Sequence, residues 1–276
     1  RLKSISMSRA DETICQVARD EMGCISELFS DWQETMIWSC LQGYMGEAYA
    51  AGFSGAGFSR PLSAAILIGD FCFFAGSPHR GLLGRVPKCH KGNFLILVPK
   101  DDGWAWLIEE VYGPGAEKIT RFAIKKEPDA FEPERLTAYV AAIPDGFELK
   151  LIDRRIYEMA MAEEWSKDLC ASFQDFLAFE RCGLGVAAIH KGKLAAGAAS
   201  YTVYDGGIEI EIDTKEEYRR RGLAQACGAK LILECLDRGL YPSWDAHDRR
   251  SLSLAEKLGY HLDHEYPAYI IDPAAV

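Results

Sequence analysis

The sequence predicts an α/β protein, of the α+β kind, made of two domains with a central mixed sheet in the second. Three observations carry that class. Apolar runs of strand length, 64–76 (AAILIGDFCFFAG) and 93–99 (NFLILVP), interleave with helical stretches in the first half, the pattern of buried strands between helices. In 207–214 (GIEIEIDT) the β-branched residues fall on every second position, and an arginine-rich loop then leads into a helical pattern. The turn signal Pro144-Asp145-Gly146 separates a helix from a new strand, which sets expected domains at 1–144 and 145–276.

A chain of 276 residues with 49% apolar content has material for a large core. Its 31 basic and 41 acidic residues give a net charge of -10, which speaks against nucleic acid and anionic membranes as partners and favours a cationic one. Nine scattered cysteines without a C-x-x-C pair suit a reducing cytoplasm. Neither an apolar run of about 18 residues nor a signal-peptide core is present, so a soluble, cytoplasmic protein is expected.

In order, 11–46 reads as helical, with Trp32, Met36, Ile37, Cys40 and Leu41 forming an apolar stripe for the core. The glycine-rich stretch 51–61 reads as a loop. It has no Lys-Ser or Lys-Thr, and Arg60-Pro61 stops any helix, so no nucleotide role is assigned. Strands at 64–76 and 93–99, a helix at 104–112, a strand at 119–124 and a helix at 133–143 complete the first half. His79, Cys89 and His90 lie near turns without the spacing of metal ligands.

The second half carries 16 basic and 23 acidic residues, net -7. It opens with a strand at 147–152 and helices at 154–165 and 167–181, the latter bearing Leu169, Phe173, Phe176 and Leu177 and stopped by Gly183. A hairpin at 185–204 turns at Lys191-Gly192-Lys193 and leads to the 207–214 strand. A helix then runs from Gly222 to about Arg238, with Leu223, Cys227, Leu231 and Cys235 on one stripe and Gly239 as its stop. After a short strand at 241–245, Asp248 is placed to cap a helix carrying Leu252, Ala255 and Leu258, ended by Gly259 and followed by a strand at 266–271.

The segment Arg219 to Ala224 (RRRGLA) opens a helix after a strand, where unpaired N–H groups favour an anion. Its form resembles the R/Q-x-x-G-x-G/A pyrophosphate motif of the GNAT superfamily of acyl-CoA-dependent N-acyltransferases. The segment 244–260 (WDAHDRRSLSLAEKLGY) is similar to the later superfamily segment that ends in K-L-G-F/Y. The wider phrasing in DWQETMIWSCLQGYMGEAYA, TVYDGGIEIEIDT and GLYPSWDAH resembles the subfamily that includes the zwittermicin A self-resistance acetyltransferase.

The resemblance implies a GNAT fold in the second half, preceded by an α/β domain. The order of elements from 93 to 143 echoes that around 207–214, as in a degenerate GNAT-like repeat. At the echoed turn, however, Pro99, Lys100, Asp101, Asp102 and Gly103 place two aspartates where a pyrophosphate would sit, so a single CoA site is expected. Acetyl-CoA is implied as co-substrate, with no metal. Backbone N–H groups of Ile212, Asp213 and Thr214 are expected to bind the pantetheine arm and thioester carbonyl, and Arg219, Arg220, Arg221, Gly222, Leu223 and Ala224 the pyrophosphate. Asp248 stands where the superfamily often has Asn; it can cap but cannot donate an amide hydrogen bond to CoA. Ala255 stands where many members place the tyrosine that protonates the departing thiolate.

Direct attack of an amine on a thioester needs a base for the acceptor, and Glu209 and Glu211 are the candidates, with His247 behind them. The glutamates share a face with Asp213 if the strand is regular; a bulge changes that parity. Water, Tyr260, Tyr266 or Tyr269 can replace the missing acid. His261, Asp263 and His264 lack a third metal ligand. The expected function is acetyl transfer to an amine of a small cationic acceptor, possible purpose antibiotic self-protection of the aminopolyol type. A non-catalytic acyl-CoA-binding regulatory module and an acetyltransferase acting on a protein amine are the alternatives.

Overall fold

The computed structural model describes residues 13–54, 60–88 and 90–275. Packing divides the chain into two compact units, Arg1–Ile119 with Pro267–Val276, and Thr120–Tyr266. The elements in order are β1 (Ile14–Val17), α1 (Thr35–Leu41), β2 (Glu47–Ser54), β3 (Arg60–Ile68), β4 (Phe71–Gly76), β5 (Leu95–Pro99), α2 (Asp102–Tyr112), β6 (Glu117–Ile124), α3 (Pro133–Ala141), β7 (Phe147–Leu151), α4 (Arg154–Ala162) and α5 (Phe176–Cys182). They continue with β8 (Gly185–His190), β9 (Lys193–Tyr204), β10 (Gly207–Thr214), α6 (Leu223–Asp237), β11 (Tyr241–Ser243), β12 (Asp245–Ala246), α7 (Arg249–Leu258) and β13 (Leu262–Ile271).

In the first unit the strands run β1-β2-β3-β4-β5, with the end of β13 beside β5. β1 to β4 are antiparallel neighbours, whereas β4 and β5 are parallel. Phe74, Leu97, Trp104, Ile108 and Tyr269 share its core. The Trp104 ring stacks on Phe74 at 5.0 Å, and its Nε1–H donates to the Gly76 carbonyl at 2.8 Å, so the buried indole keeps a partner. Asp101 caps α2 by accepting from the Trp104 N–H at 3.1 Å.

Three expectations for this half change. The helical reading of 11–46 survives only as α1; β1 and two 3-10 turns, Arg19–Cys24 and Ser26–Phe29, occupy most of the rest. The stripe residues Met36, Ile37 and Cys40 are nevertheless buried. The strand read at 64–76 is a hairpin, because Gly69, at φ +57, turns the chain inside the apolar run. The loop read at 51–61 is largely ladder: Phe53 pairs with Pro61 and Ser54 with Arg60, while 55–59 lie outside the described residues. Small residues such as Ala50 and Ala51 pack in a sheet without giving a periodic signal.

In the second unit a five-stranded sheet runs β11-β10-β9-β8-β7. β7 to β10 are antiparallel neighbours, and β11 lies parallel to β10. Helix α6 buries Leu223, Cys227, Leu231 and Cys235 and packs against β8, β9 and β10. Gly197 on β9 is required by close packing, since a Cβ there would stand 2.7 Å from the Leu169 side chain. Helix α3, read as the end of the first domain, packs on α6 instead, so packing changes unit near Thr120 while the Pro144 turn lies inside the second unit.

Each unit contains an antiparallel meander followed by a strand parallel to its last member, β2-β3-β4 then β5, and β8-β9-β10 then β11. The counterpart of β10 is therefore β4, not the 93–99 strand from which the echo was read. Where the second unit has the 15-residue α6, the segment between β4 and β5 forms a three-residue 3-10 turn, Arg80–Leu82, as its helical content among the described residues. No helix of the described residues is long and apolar enough to cross a membrane. The eight described cysteines are free thiols; Cys89 lies outside the described residues.

Candidate active site

The site is built around β10. Its pairing with β11 extends from Gly207–Tyr241 to Glu209–Ser243 and stops there. The chain then passes through buried Trp244 and joins a different strand, Asp245 pairing with Ala123 and Ala246 with Phe122 of β6. The two prongs of this fork are β10 from Ile210 onward and β12 with β6. A bulge lies opposite the fork, between Glu209–Thr202 and Ile210–Ser200, and the extra residue is Tyr201 on β9. The alternation along β10 itself is thus kept, and Glu211 and Asp213 are hydrogen-bonded side chain to side chain.

At the far end of β10, residues Arg219 to Gly222 are exposed. Arg220 takes φ +61 and Gly222 φ +77, and the latter starts α6 with no side-chain cap. A left-handed residue followed by right-handed Leu223 turns successive N–H groups toward one point, a concavity suited to an anion, reinforced by the helix dipole. The loop is held from beneath: Arg219 Nε donates to the Thr214 carbonyl at 3.4 Å, and Arg221 to the Glu217 carbonyl at 3.2 Å with its guanidinium over Tyr218. An exposed, uncapped helix start with three arginines fits a pyrophosphate.

On the fork, Glu211 and Asp213 share an acid cluster with Asp168. Burial, then repulsion from Asp213 and Asp168, raises the Glu211 carboxyl well above the ordinary range, opposed by Arg121. Burial and Asp168 push Asp213 from 3.8 up to about 7, opposed by the hydrogen bond with Glu211 and by Arg219. Between those values the folded chain binds a proton that the unfolded chain has released, so stability falls as pH rises from 3.8 toward about 7. Asp213→Asn is expected to flatten that fall, measured as urea midpoints at pH 5 and 7.5; an unchanged slope would refute the burial of this charge.

Glu209 occupies a different setting. It is 5% exposed, and its charge is felt by Tyr204, Tyr241 and Tyr260. The paired glutamates of the sequence therefore separate into one beside other carboxylates and one among tyrosines. Asp248 caps α7, accepting from the Ser251 N–H at 2.7 Å, and exposed His247 stands 3.4 Å from it. Ala255 is fully buried on α7. The three tyrosines also separate. Tyr260 donates to the Pro242 carbonyl at 2.6 Å, and burial raises its hydroxyl well above the ordinary range. Tyr269 belongs to the first unit and donates to Glu109 at 2.5 Å. Tyr266 stands by the fork, donating to Asp245 Oδ2 at 2.8 Å and accepting from Arg121 Nε at 3.2 Å.

His261 pairs with Glu127 and His264 with Asp263 on the surface, and among the described residues no group of three or more His, Cys, Asp or Glu side chains is placed to hold a metal. Arg121, Asp168 and Asp245 are parts of the site that the sequence reading did not single out. A charged residue inside the apolar strand KITRFAI, and a lone acid in SWDA, are the signals that could have drawn attention to two of them.

A meander, a parallel strand reached through a helix with an exposed, uncapped start, and carboxylates at a strand fork together mark out the second unit. Residues 26–269 match the GNAT acetyltransferase family, and the chain belongs to it, as an acyl-CoA-dependent acetyltransferase. It is 50% identical to a GCN5-related N-acetyltransferase-like protein of Streptococcus suis, with a TM-score of 0.83 over 91% of this chain and 99% of that one. It is 27% identical over 179 residues to an uncharacterized N-acetyltransferase of Bacillus subtilis, YdfB; that match takes in 63% of this chain and spans 65% of the relative's length. A tandem GNAT protein from the clavulanic acid biosynthesis pathway shares the fold, with a TM-score of 0.57 and 13% identity over 95% of this chain and 99% of that one.

Proposed function

We propose that the second unit transfers an acetyl group from acetyl-CoA to an amine of a small cationic acceptor, with Glu211 as base. The observation that carries this reading is the placement, on one strand, of a carboxylate cluster at a fork and an exposed arginine loop at a helix start. Arg219 to Ala224 hold the pyrophosphate, and the β10 edge at Ile212, Asp213 and Thr214, past the end of the β11 pairing, orients the pantetheine arm. Acetyl-CoA supplies an acyl group already activated as a thioester. An acceptor ammonium seated against Glu211 and Asp213 gives a proton to Glu211, whose affinity for protons burial and its acidic neighbours raise above the ordinary carboxylate range. Among the tyrosines, Tyr266 is the proton donor the fork favours; free thiols ionise at about 8.5, so the donor assists rather than decides turnover. Asp248 serves α7 as its cap.

The acceptor class follows from charge. The chain carries -10, and Glu211, Asp213 and Asp168 gather at the fork, where an approaching ammonium favours their ionised forms. Such a cleft draws ammonium groups and speeds their encounter at low salt. An aminopolyol of the antibiotic type fits this class, and the likeness to the zwittermicin A resistance subfamily supplies self-protection in the cytoplasm as its purpose. The test is CoA release with polyamines, amino sugars, aminopolyols and neutral amino acids at low and high ionic strength. Cationic aminopolyols or amino sugars are expected to give the highest kcat/KM, falling with salt. Preference for neutral acceptors would overturn the charge argument, and no release with any amine would favour a binding module.

A further inference from the structure

The fork places a buried cation opposite the carboxylates of β10. Arg121 on β6 and Asp245 on β12 are each 8% exposed at the side chain, with the Arg121 terminal nitrogen 2.7 Å and its Nε 2.9 Å from Asp245 Oδ1. Tyr266 on β13 closes the arrangement, accepting from Arg121 Nε and donating to the other Asp245 oxygen. Pairing of β12 with β6 sets Asp245 opposite Ala123, and β12 exists as a separate strand because the chain leaves β11 at Trp244. The same break that opens β10 beyond Glu209 therefore brings the guanidinium to the other prong.

A buried ion pair is weak evidence for stability, because desolvating both charges offsets much of their attraction. A pair fixed at the mouth of a strand fork calls for another reason. We propose that Arg121 is a positioning residue for the transfer: locked by Asp245 and Tyr266, its guanidinium is the positive charge set against Glu211 of the Glu211–Asp213 pair. The inference rests on the reading of Glu211 as base. The groups around that pair are Asp168 from the turn Lys167–Leu169, Arg219 beyond β10 and Arg121 from β6. Those around Arg121 are Asp245, Tyr266, Glu211 and His247, and the last also feels Asp248 and Arg250. Four carboxylates, Glu211, Asp213, Asp168 and Asp245, thus gather with two arginines, one in the exposed loop and one locked at the fork by Asp245.

The test is a side-chain carboxyl titration by carbon-13 NMR of the full chain, with assignments from Glu211→Gln and Asp213→Asn, alongside the pH dependence of kcat/KM with the best amine. In Arg121→Met the Glu211 titration is expected to move up by about one pH unit or more, the size typical for loss of an opposite charge nearby. The acid limb of kcat/KM should move with it. Arg121→Lys keeps the charge and is expected to restore most of the shift. If Arg121→Met fails to fold, Arg121→Met with Asp245→Asn leaves no unpaired buried charge, and its Glu211 titration is expected to lie above that of Asp245→Asn alone. Unmoved titrations in a folded variant, or a Lys variant indistinguishable from Met, would overturn the proposal. Absence of CoA release by the native protein with every amine would strike the functional reading, while the titration alone decides the charge role of Arg121.

Discussion

Glu211→Gln is expected to lower kcat by about a hundredfold or more while leaving acetyl-CoA affinity nearly unchanged. The side chains differ little in size, so the substitution removes the proton acceptor and keeps the shape. Glu211 is the carboxylate that faces both Asp213 and Asp168, and its proton affinity lies above the ordinary range because burial and those neighbours disfavour its charge. The acid limb of the native kcat/KM profile should accordingly lie above the usual glutamate range. Glu209→Gln is expected to cost far less activity, since that side chain is enclosed near Tyr204, Tyr241 and Tyr260. Steady-state kinetics and calorimetry on both variants decide the matter. A larger loss at Glu209 than at Glu211 would exchange their roles, and intact turnover in both would move the base elsewhere, with His247 next.

Gly222→Val is expected to abolish measurable acetyl-CoA binding in a chain that still folds. A Cβ at Gly222 meets no heavy atom within 4 Å, so the obstacle is the backbone: φ is +77, a conformation that costs a β-branched residue on the order of 1–3 kcal/mol. The chain can relieve that strain by rotating the peptide groups at the head of α6, which redirects the N–H groups that form the anion site. The loop is exposed, so the damage should stay local, and the circular dichroism spectrum and the buried cysteines of α6, Cys227 and Cys235, provide the check. Native affinity in Gly222→Val would remove the loop from the cofactor site. Loss of the folded spectrum would show a structural role instead.

Much of the second half was legible because its signals are local. Period-two alternation gave β10, the Lys191-Gly192 turn gave the hairpin, and glycines near the ends of α6 and α7 marked where those helices stop. The first half was less legible where local signals conflict. Gly69-Asp70 turns the chain inside an otherwise continuous apolar run, and the stripe from Trp32 to Leu41 extended a helical reading backward over β1 and two 3-10 turns. The repeat was visible in element order, but its register was not, because the strand that answers β10 is β4, and among the described residues a 3-10 turn stands where α6 would be answered. Of the acid cluster, Glu211 and Asp213 could be read from one strand. Arg121 stood out only as a charge inside an apolar strand; its partner Asp245 lies 124 residues away, and the departure of β12 from β11 brings them together. Parity along β10 needed the structure too, since the bulged residue, Tyr201, sits on the neighbouring strand.

One acetyl-CoA site, at the head of α6, is expected to serve the whole chain. Calorimetric titration of the 276-residue chain with acetyl-CoA is the test. A stoichiometry near one, lost in Gly222→Val, is the predicted result, because α6 has an exposed arginine loop at its start while the segment between β4 and β5 has a short 3-10 turn in its place. Two sites per chain, or one site that persists in Gly222→Val, would contradict it.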